Sequence, residues 1–92
     1  MEHVSLIATG QVQGVGFRWY VLRAATALGL DGEVRNRRDG AVEVEAEGDR
    51  ARLEELVEAV REGPVTAIVD RVEVRWSTGP ARYEGFHVGR TS

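Results

Sequence analysis

Three glycines fall within seven residues in Gly10-Gln11-Val12-Gln13-Gly14-Val15-Gly16, directly before a segment of helical periodicity that opens with Phe17-Arg18. Glycines ahead of a helix let backbone N–H groups turn inward together and let a ligand come close. The helix terminus itself carries about half a positive charge from the peptide dipoles. Together these features make a cradle for a phosphate-like anion. Arg18 lies in the first helical turn, where a cation opposes the dipole unless an anion sits between the two. Spacing alone leaves two readings open: an anion ligand, or a surface arginine after a glycine-rich connection. Nucleotide patterns do not fit. Gly14-Val15-Gly16-Phe17-Arg18-Trp19 lacks the third glycine of a dinucleotide fingerprint, and the chain has no Gly-Lys-Ser/Thr.

Asn36 is the second candidate, and it emerges from strand register. Gly32 to Arg37 alternates, with Val34 and Asn36 on one face and Glu33, Arg35 and Arg37 on the other. Ala41 to Glu47 alternates in the same way, Val42, Val44 and Ala46 against Glu43, Glu45 and Glu47. A two-residue Asp39-Gly40 loop would set Val34 opposite Glu45 and split the apolar set between core and solvent, which register does not tolerate. A type I turn from Arg37 to Gly40, with a left-handed Gly40 in a G1 bulge, instead pairs Asn36 with Val42 and Val34 with Val44. Asn36 then occupies a core-facing position where an apolar residue is expected. A polar side chain there is costly unless satisfied, and such a break in the pattern marks either a site or an Asn that bonds its own turn.

The elements that carry these residues can be read in order. His3 to Thr9 reads as a strand. The helix from Phe17 presents Phe17, Val21, Ala24, Ala25 and Leu28 on one face, with Gly29 at C′. After the hairpin, Asp49 is a plausible N-cap, and Leu53, Leu56, Val57 and Val60 follow at helical spacing until Gly63-Pro64. Ala67 to Trp76 alternates again with Val72, Val74 and Trp76 on one face. Gly85 to Val88 is a short last strand with Phe86 and Val88 inward. The order β-α-β-β-α-β plus a terminal strand suggests a ferredoxin-like α/β sandwich, an antiparallel sheet with both helices on one face, as one domain over residues 1–92.

Composition narrows the function classes. The chain has 92 residues, 42% of them hydrophobic, which suits one globular core. Without cysteine, disulfides, thiolate catalysis and thiolate metal sites are excluded. No apolar run is long enough for a membrane span, and the N-terminus has no signal-peptide pattern, so a cytoplasmic protein is expected. All twelve basic residues are Arg, a bias that fits a GC-rich genome and also supplies planar forks suited to phosphate or carboxylate. His3 and His87 have no ligand-spaced partner and read as surface or strand residues rather than metal ligands. Ser5, Ser77 and Ser92 show no nucleophile arrangement. Glu43, Glu45 and Glu47 read as a solvated face opposite Arg35 and Arg37, and Trp19, Tyr20 and Trp76 as packing residues.

Gly10-Gln11-Val12-Gln13-Gly14-Val15-Gly16-Phe17-Arg18 resembles the phosphate-loop signature of the acylphosphatase family. Gly32 to Glu43, with Asn36 at its centre, resembles that family's second signature, and Tyr83-Glu84-Gly85-Phe86-His87-Val88 its closing segment. The resemblance spans essentially the whole chain, and two long motifs in the right order are far more specific than either alone. One departure is Glu33, where many members carry a large apolar residue; it lies on the outward face. The resemblance implies the ferredoxin-like fold and hydrolysis of the carboxyl–phosphate anhydride of a small-molecule acyl phosphate. It further implies that Arg18 and the backbone N–H groups of Gln13, Gly14, Val15, Gly16, Phe17 and Arg18 bind the phosphate. Asn36 would hold the attacking water through its side-chain amide. No cofactor and no metal are implied. Inorganic phosphate or sulfate should compete for the cradle, and a monomer is expected.

Two other readings remain. One is a non-enzymatic ferredoxin-like module, for instance for RNA. A net charge of −3 and the missing aromatic nucleic-acid pattern argue against it, and no nucleic-acid or membrane partner is expected. The other is a carbamoyl-phosphate-handling module of the kind found inside larger maturation proteins. The end of the sequence at Ser92, with no further domain, points to a free-standing enzyme instead.

Overall fold

A computed structural model describes residues 1–92. The order is β1 (Glu2–Gln11), α1 (Phe17–Ala27), β2 (Asp31–Asn36), β3 (Val42–Gly48), α2 (Arg50–Glu62), β4 (Ile68–Thr78) and β5 (Phe86–Val88). The strands form one sheet in the order β4-β1-β3-β2-β5, with both helices on one face, the ferredoxin-like arrangement that the element order implied. β1 pairs antiparallel with β3 and β4, and β2 with β3, but β5 runs parallel to β2. The sheet is therefore mixed rather than wholly antiparallel. The stretch from Thr78 to Phe86 carries the chain back across the sheet, so β5 enters beside β2 in the same direction as β2.

Alternation in the strands and helical spacing in α1 and α2 converge on one core. Val4, Leu6 and Ala8 from β1 meet Val34, Val42, Val44 and Ala46 of the hairpin, and Phe17, Val21, Ala25, Leu53, Leu56 and Val60 close over them from the helices. The hairpin register is the one required by keeping its valines together, Asn36 opposite Val42 and Val34 opposite Val44. Its turn closes through Gly40 N–H to the Arg37 carbonyl at 3.1 Å and Arg37 N–H to the Ala41 carbonyl at 2.8 Å, with Gly40 at φ 95°. β4 departs from strict alternation. A register shift opposite Thr9 and Gly10 lets both Val69 and Val72 pack against the core.

Several side chains differ from expectation. Trp19 is 64% exposed and is not a packing residue. Tyr20 does pack, its ring against Phe17 and its hydroxyl donating to the Ala59 carbonyl at 2.8 Å. Trp76 lies half-buried beneath the Arg50 guanidinium, 3.6 Å from the ring centroid. Val88 faces the core side but stays 38% exposed, because β5 is the sheet edge. Asp49 holds the N-cap position of α2 with no side-chain capping bond; its carbonyl begins the helix through Leu53 N–H at 2.9 Å.

The outward face of the sheet is only partly solvated. Arg35 gathers Glu33, Glu43 and Glu45 at 3.0, 2.9 and 2.6 Å, while Arg37 pairs with Asp39 instead. Burial works against the Arg35 charge, but hydrogen bonds and the charges of Glu45, Glu43 and Glu33 outweigh it and raise its pKa. Glu47 and His3, expected at the surface, are buried at 1% and 6% exposure. They are direct cross-strand partners, and the segment after β4 folds down over them. The Glu47 carboxylate accepts the Arg82 and Tyr83 N–H groups and lies 3.4 Å from His3 Nδ1, while His3 Nε2 is 3.2 Å from the Gly79 carbonyl. The His3 ring and two backbone donors thus satisfy a carboxylate that alternation alone assigns to water.

Candidate functional site

The loop between β1 and α1 is pinned at its ends by apolar residues and open between them. Val12 and Phe17 are both 1% exposed, and Val15 packs half-buried against the core, while Gly14 and Gly16 face solvent. Gly14 and Gly16 have φ of 75° and 78°, left-handed values that cost an L-residue roughly 1–2 kcal/mol, so glycine is the residue that shapes this loop. No atom lies within 4 Å of the place where a Cβ on either glycine would stand. The space over the loop is open to a ligand.

Gly16 is the N-cap of α1, and the helix starts with Tyr20 N–H to the Gly16 carbonyl at 3.1 Å. None of the backbone N–H groups from Gln13 to Arg18 donates to a protein acceptor. These donors all belong to one short loop and the helix start that follows it. Two side chains tie the loop to its surroundings. Gln13 Nε2 donates to the Arg37 carbonyl at 2.7 Å and to the Ala41 carbonyl at 2.9 Å. The Thr66 hydroxyl donates to the Val15 carbonyl at 2.7 Å.

Arg18 leaves this loop half-buried, and its guanidinium makes no ion pair and no hydrogen bond with the protein. With no acidic residue in the first turn of α1, nothing in the chain neutralises this end of the helix. An anion seated on the loop would be bound by the guanidinium, the free N–H groups and the dipole at once.

Asn36 ends β2 on the core-facing side of the hairpin, one residue from the Arg37 carbonyl that Gln13 holds. Its Oδ1 is buried and has no hydrogen-bond partner, the one such side-chain atom in the molecule. The side chain therefore does not bond its own turn. That role falls to Asp39, whose carboxylate accepts the Ala41 N–H at 3.1 Å. The last residue clamps the Asn36 backbone: Ser92 N–H donates to the Asn36 carbonyl and Arg38 N–H to the Ser92 carbonyl, each at 3.0 Å.

The two residues singled out in sequence thus sit on adjacent elements tied together by Gln13. The sequence points only to the backbone N–H of Gln13 and not to its side chain; the signal it offers is a polar residue between the buried Val12 and the exposed Gly14. None of the molecule's cavities includes Arg18 or Asn36. The cradle is a surface feature, fit for a small anion and not for a large enclosed ligand. The most enclosed hollow, about 90 Å³, lies on the outward face of the sheet between His3, Ser5, Glu45, Ser77, Arg82 and Tyr83. No three His, Asp or Glu side chains converge to hold a metal ion.

Comparison with known proteins agrees with the geometry. The acylphosphatase family model matches residues 4–88. An acylphosphatase of Salinibacter ruber is 52% identical over 89 residues, covering 97% of this chain and 94% of that relative. The crystal structure of acylphosphatase from Bacillus subtilis superposes with a TM-score of 0.93 at 38% identity, covering 97% of this chain and 99% of that one. Full-length HypF, solved in a phosphate- and nucleotide-bound form, contains a similar portion: TM-score 0.85, 29% identity, 99% of this chain and 12% of HypF.

Proposed function

The chain belongs to the acylphosphatase family and is a hydrolase of small-molecule acyl phosphates, and on that premise we propose which of its residues perform the reaction. The phosphate sits on the loop, held by the N–H groups of Gln13, Gly14, Val15, Gly16, Phe17 and Arg18 and by the Arg18 guanidinium. Asn36 orients the attacking water through its side-chain amide. The observation that carries this reading is the buried, unpartnered Asn36 Oδ1 beside a loop whose N–H groups are all free. A buried amide oxygen without a partner costs about 1–3 kcal/mol, and a chain that keeps such a group in its core-facing register does so for a site rather than for stability.

The reaction asks little more of the protein. Water attacks phosphorus in line with the acyl oxygen; the P–O bond to the acyl group breaks, and the carboxylate leaves with the electron pair. The leaving group is good, so no general acid is required, and a non-bridging phosphate oxygen accepts the water proton. Phosphoryl transfer of this kind is catalysed mainly by positioning and by stabilising charge on the equatorial oxygens. Converging N–H groups and a guanidinium fork supply the stabilisation; a neutral amide supplies the position.

The same reading takes residues 1–92 as one acylphosphatase domain, a cytoplasmic monomer that uses neither metal nor cofactor, with inorganic phosphate or sulfate as competing ligands. No helix is long and apolar enough to cross a membrane. The experiment is hydrolysis of benzoyl phosphate by the purified chain, with carbamoyl phosphate run beside it. Turnover of benzoyl phosphate, inhibited by phosphate and relieved by excess substrate, is the expected result. Turnover of carbamoyl phosphate alone would transfer the assignment to the carbamoyl-phosphate reading.

A further inference from the structure

Gln13 has two separate connections to the site. Its backbone N–H is one of the free donors of the loop, and its side chain leaves the loop for the β2–β3 hairpin. Both Nε2 protons are used, one on the Arg37 carbonyl at 2.7 Å and one on the Ala41 carbonyl at 2.9 Å. Those two carbonyls flank the hairpin turn, and Arg37 N–H closes the turn on the Ala41 carbonyl at 2.8 Å. The next residues outward are Asn36 and Val42, a direct cross-strand pair. Since both donors are committed to carbonyls, the orientation of the Gln13 amide is fixed.

No other hydrogen bond joins residues 12–16 to the hairpin; the other side-chain tether of the loop, from Thr66 to Val15, ties it instead to the segment before β4. Gln13 is thus the polar link between the element that holds phosphate and the element that holds Asn36. We infer that Gln13 is a positioning residue for hydrolysis, setting the distance between the phosphate cradle and the water held by Asn36. The inference rests on the roles proposed above for the loop and Asn36.

The physical reason is that the two groups act on different partners along one line of attack. Arg18 and the loop fix phosphorus, Asn36 fixes the water, and reaction requires the two about 3–3.5 Å apart with the leaving oxygen opposite. The loop is rich in glycine and exposed, while β2 is a strand one position from the sheet edge, so neither element rigidly dictates the position of the other. Two hydrogen bonds from one planar amide do. A misplacement near 1 Å costs on the order of 100-fold in such reactions.

Gln13→Met keeps the length of the side chain and removes both donors. Its kcat on benzoyl phosphate should fall roughly 10- to 100-fold, while inhibition by inorganic phosphate changes less than about threefold, because the cradle itself is intact. The decisive measurement is the same substitution in the Asn36→Ala background. With no water-orienting amide left to position, Gln13→Met should there cost less than about twofold more in kcat. Multiplying losses in the double variant, or unchanged kcat in Gln13→Met, would overturn the inference while leaving Asn36 in place. Wild-type kcat in Asn36→Ala would instead overturn the role of Asn36. Should Gln13→Met fail to fold, Gln13→Asn, one methylene shorter with its amide retained, carries the same cycle. A lowered denaturation midpoint with unchanged kcat would make Gln13 a structural residue only.

Discussion

Replacing Asn36 by Ala separates stability from turnover. An asparagine that bonded its own hairpin would lose about 0.5–1.5 kcal/mol of stability on truncation. Asn36 Oδ1 has no such bond to lose, and it is buried. Removing an unsatisfied buried acceptor returns about 1–3 kcal/mol, set against the contacts of the deleted side chain and a small cavity. The two terms nearly cancel, so Asn36→Ala should be within about 1 kcal/mol of the parent, a Tm change under roughly 8 °C for a domain of this size. The rate should not be spared. By analogy with deleting one preorganised donor in an oxyanion hole, about 2–4 kcal/mol of transition-state stabilisation disappears, roughly 30- to 1,000-fold in kcat. Phosphate inhibition should hardly move, because the ground-state anion rests on Arg18 and the loop. Asn36→Asp is nearly isosteric but brings a carboxylate beside the incoming phosphate, so both inhibition and kcat should suffer. Steady-state kinetics on benzoyl phosphate, phosphate inhibition and thermal denaturation on one preparation decide the matter. A parent-like kcat with a clearly lowered Tm would refute the reasoning and make Asn36 a structural residue.

Arg18→Lys should lose roughly 10- to 150-fold in kcat/KM, one charge-assisted hydrogen bond at about 1.5–3 kcal/mol, with little change in Tm since Arg18 has no protein partner to forfeit; retention of most kcat/KM would exclude bidentate binding. Exhaustive chelation should leave activity intact, and a loss restored by a divalent ion would refute the metal-free mechanism. Glu47→Leu should cost about 3 kcal/mol or more, because it strands the Arg82 and Tyr83 N–H groups and His3, yet kcat per folded molecule should not change; a denaturant midpoint equal to the parent's would show that this buried cluster contributes nothing. Burial, with the nearby Glu62 charge, raises the Tyr20 pKa above 10.0. The folded protein therefore holds that proton longer than the unfolded chain. The resulting stability is fully present below pH 10.0 and is lost as pH rises through the folded pKa. Tyr20→Phe should flatten the decline of stability above pH 10.0, and an unchanged slope would count against this assignment.

Much of the hairpin was legible because a one-residue slip inverts every side chain. Only an odd loop at Asp39-Gly40 keeps Val34, Val42 and Val44 together, and the register found is that one. The same logic exposed Asn36 as out of place. The glycines before Phe17 marked the loop, and the spacing of Leu53, Leu56, Val57 and Val60 marked α2, since both signals are local. Alternation did not foresee the burial of Glu47. For Glu47 it gave the right face, the one away from the helices, but which atoms cover that face, and so bury Glu47 and its strand partner His3, depends on the path of residues 79–83, a segment with no period of its own. It failed again at Val69, where the β4 register shift adds one residue to the count.

The sequence by itself determined the elements, the sharing of faces within each, the family resemblance, and two residues, Arg18 and Asn36, whose types contradict their surroundings. These follow from local propensity and from periods of 2 and 3.6 residues, which neighbours along the chain fully define. Tertiary structure alone decided what each of those residues lacks and what ties them together. Arg18 has no ion partner, Asn36 Oδ1 has no donor, and Gln13 spans from the loop to the hairpin across 24 and 28 positions of chain. Whether a hydrogen-bonding group is satisfied depends on every atom within about 3 Å of it, and those atoms come from segments that only folding brings together.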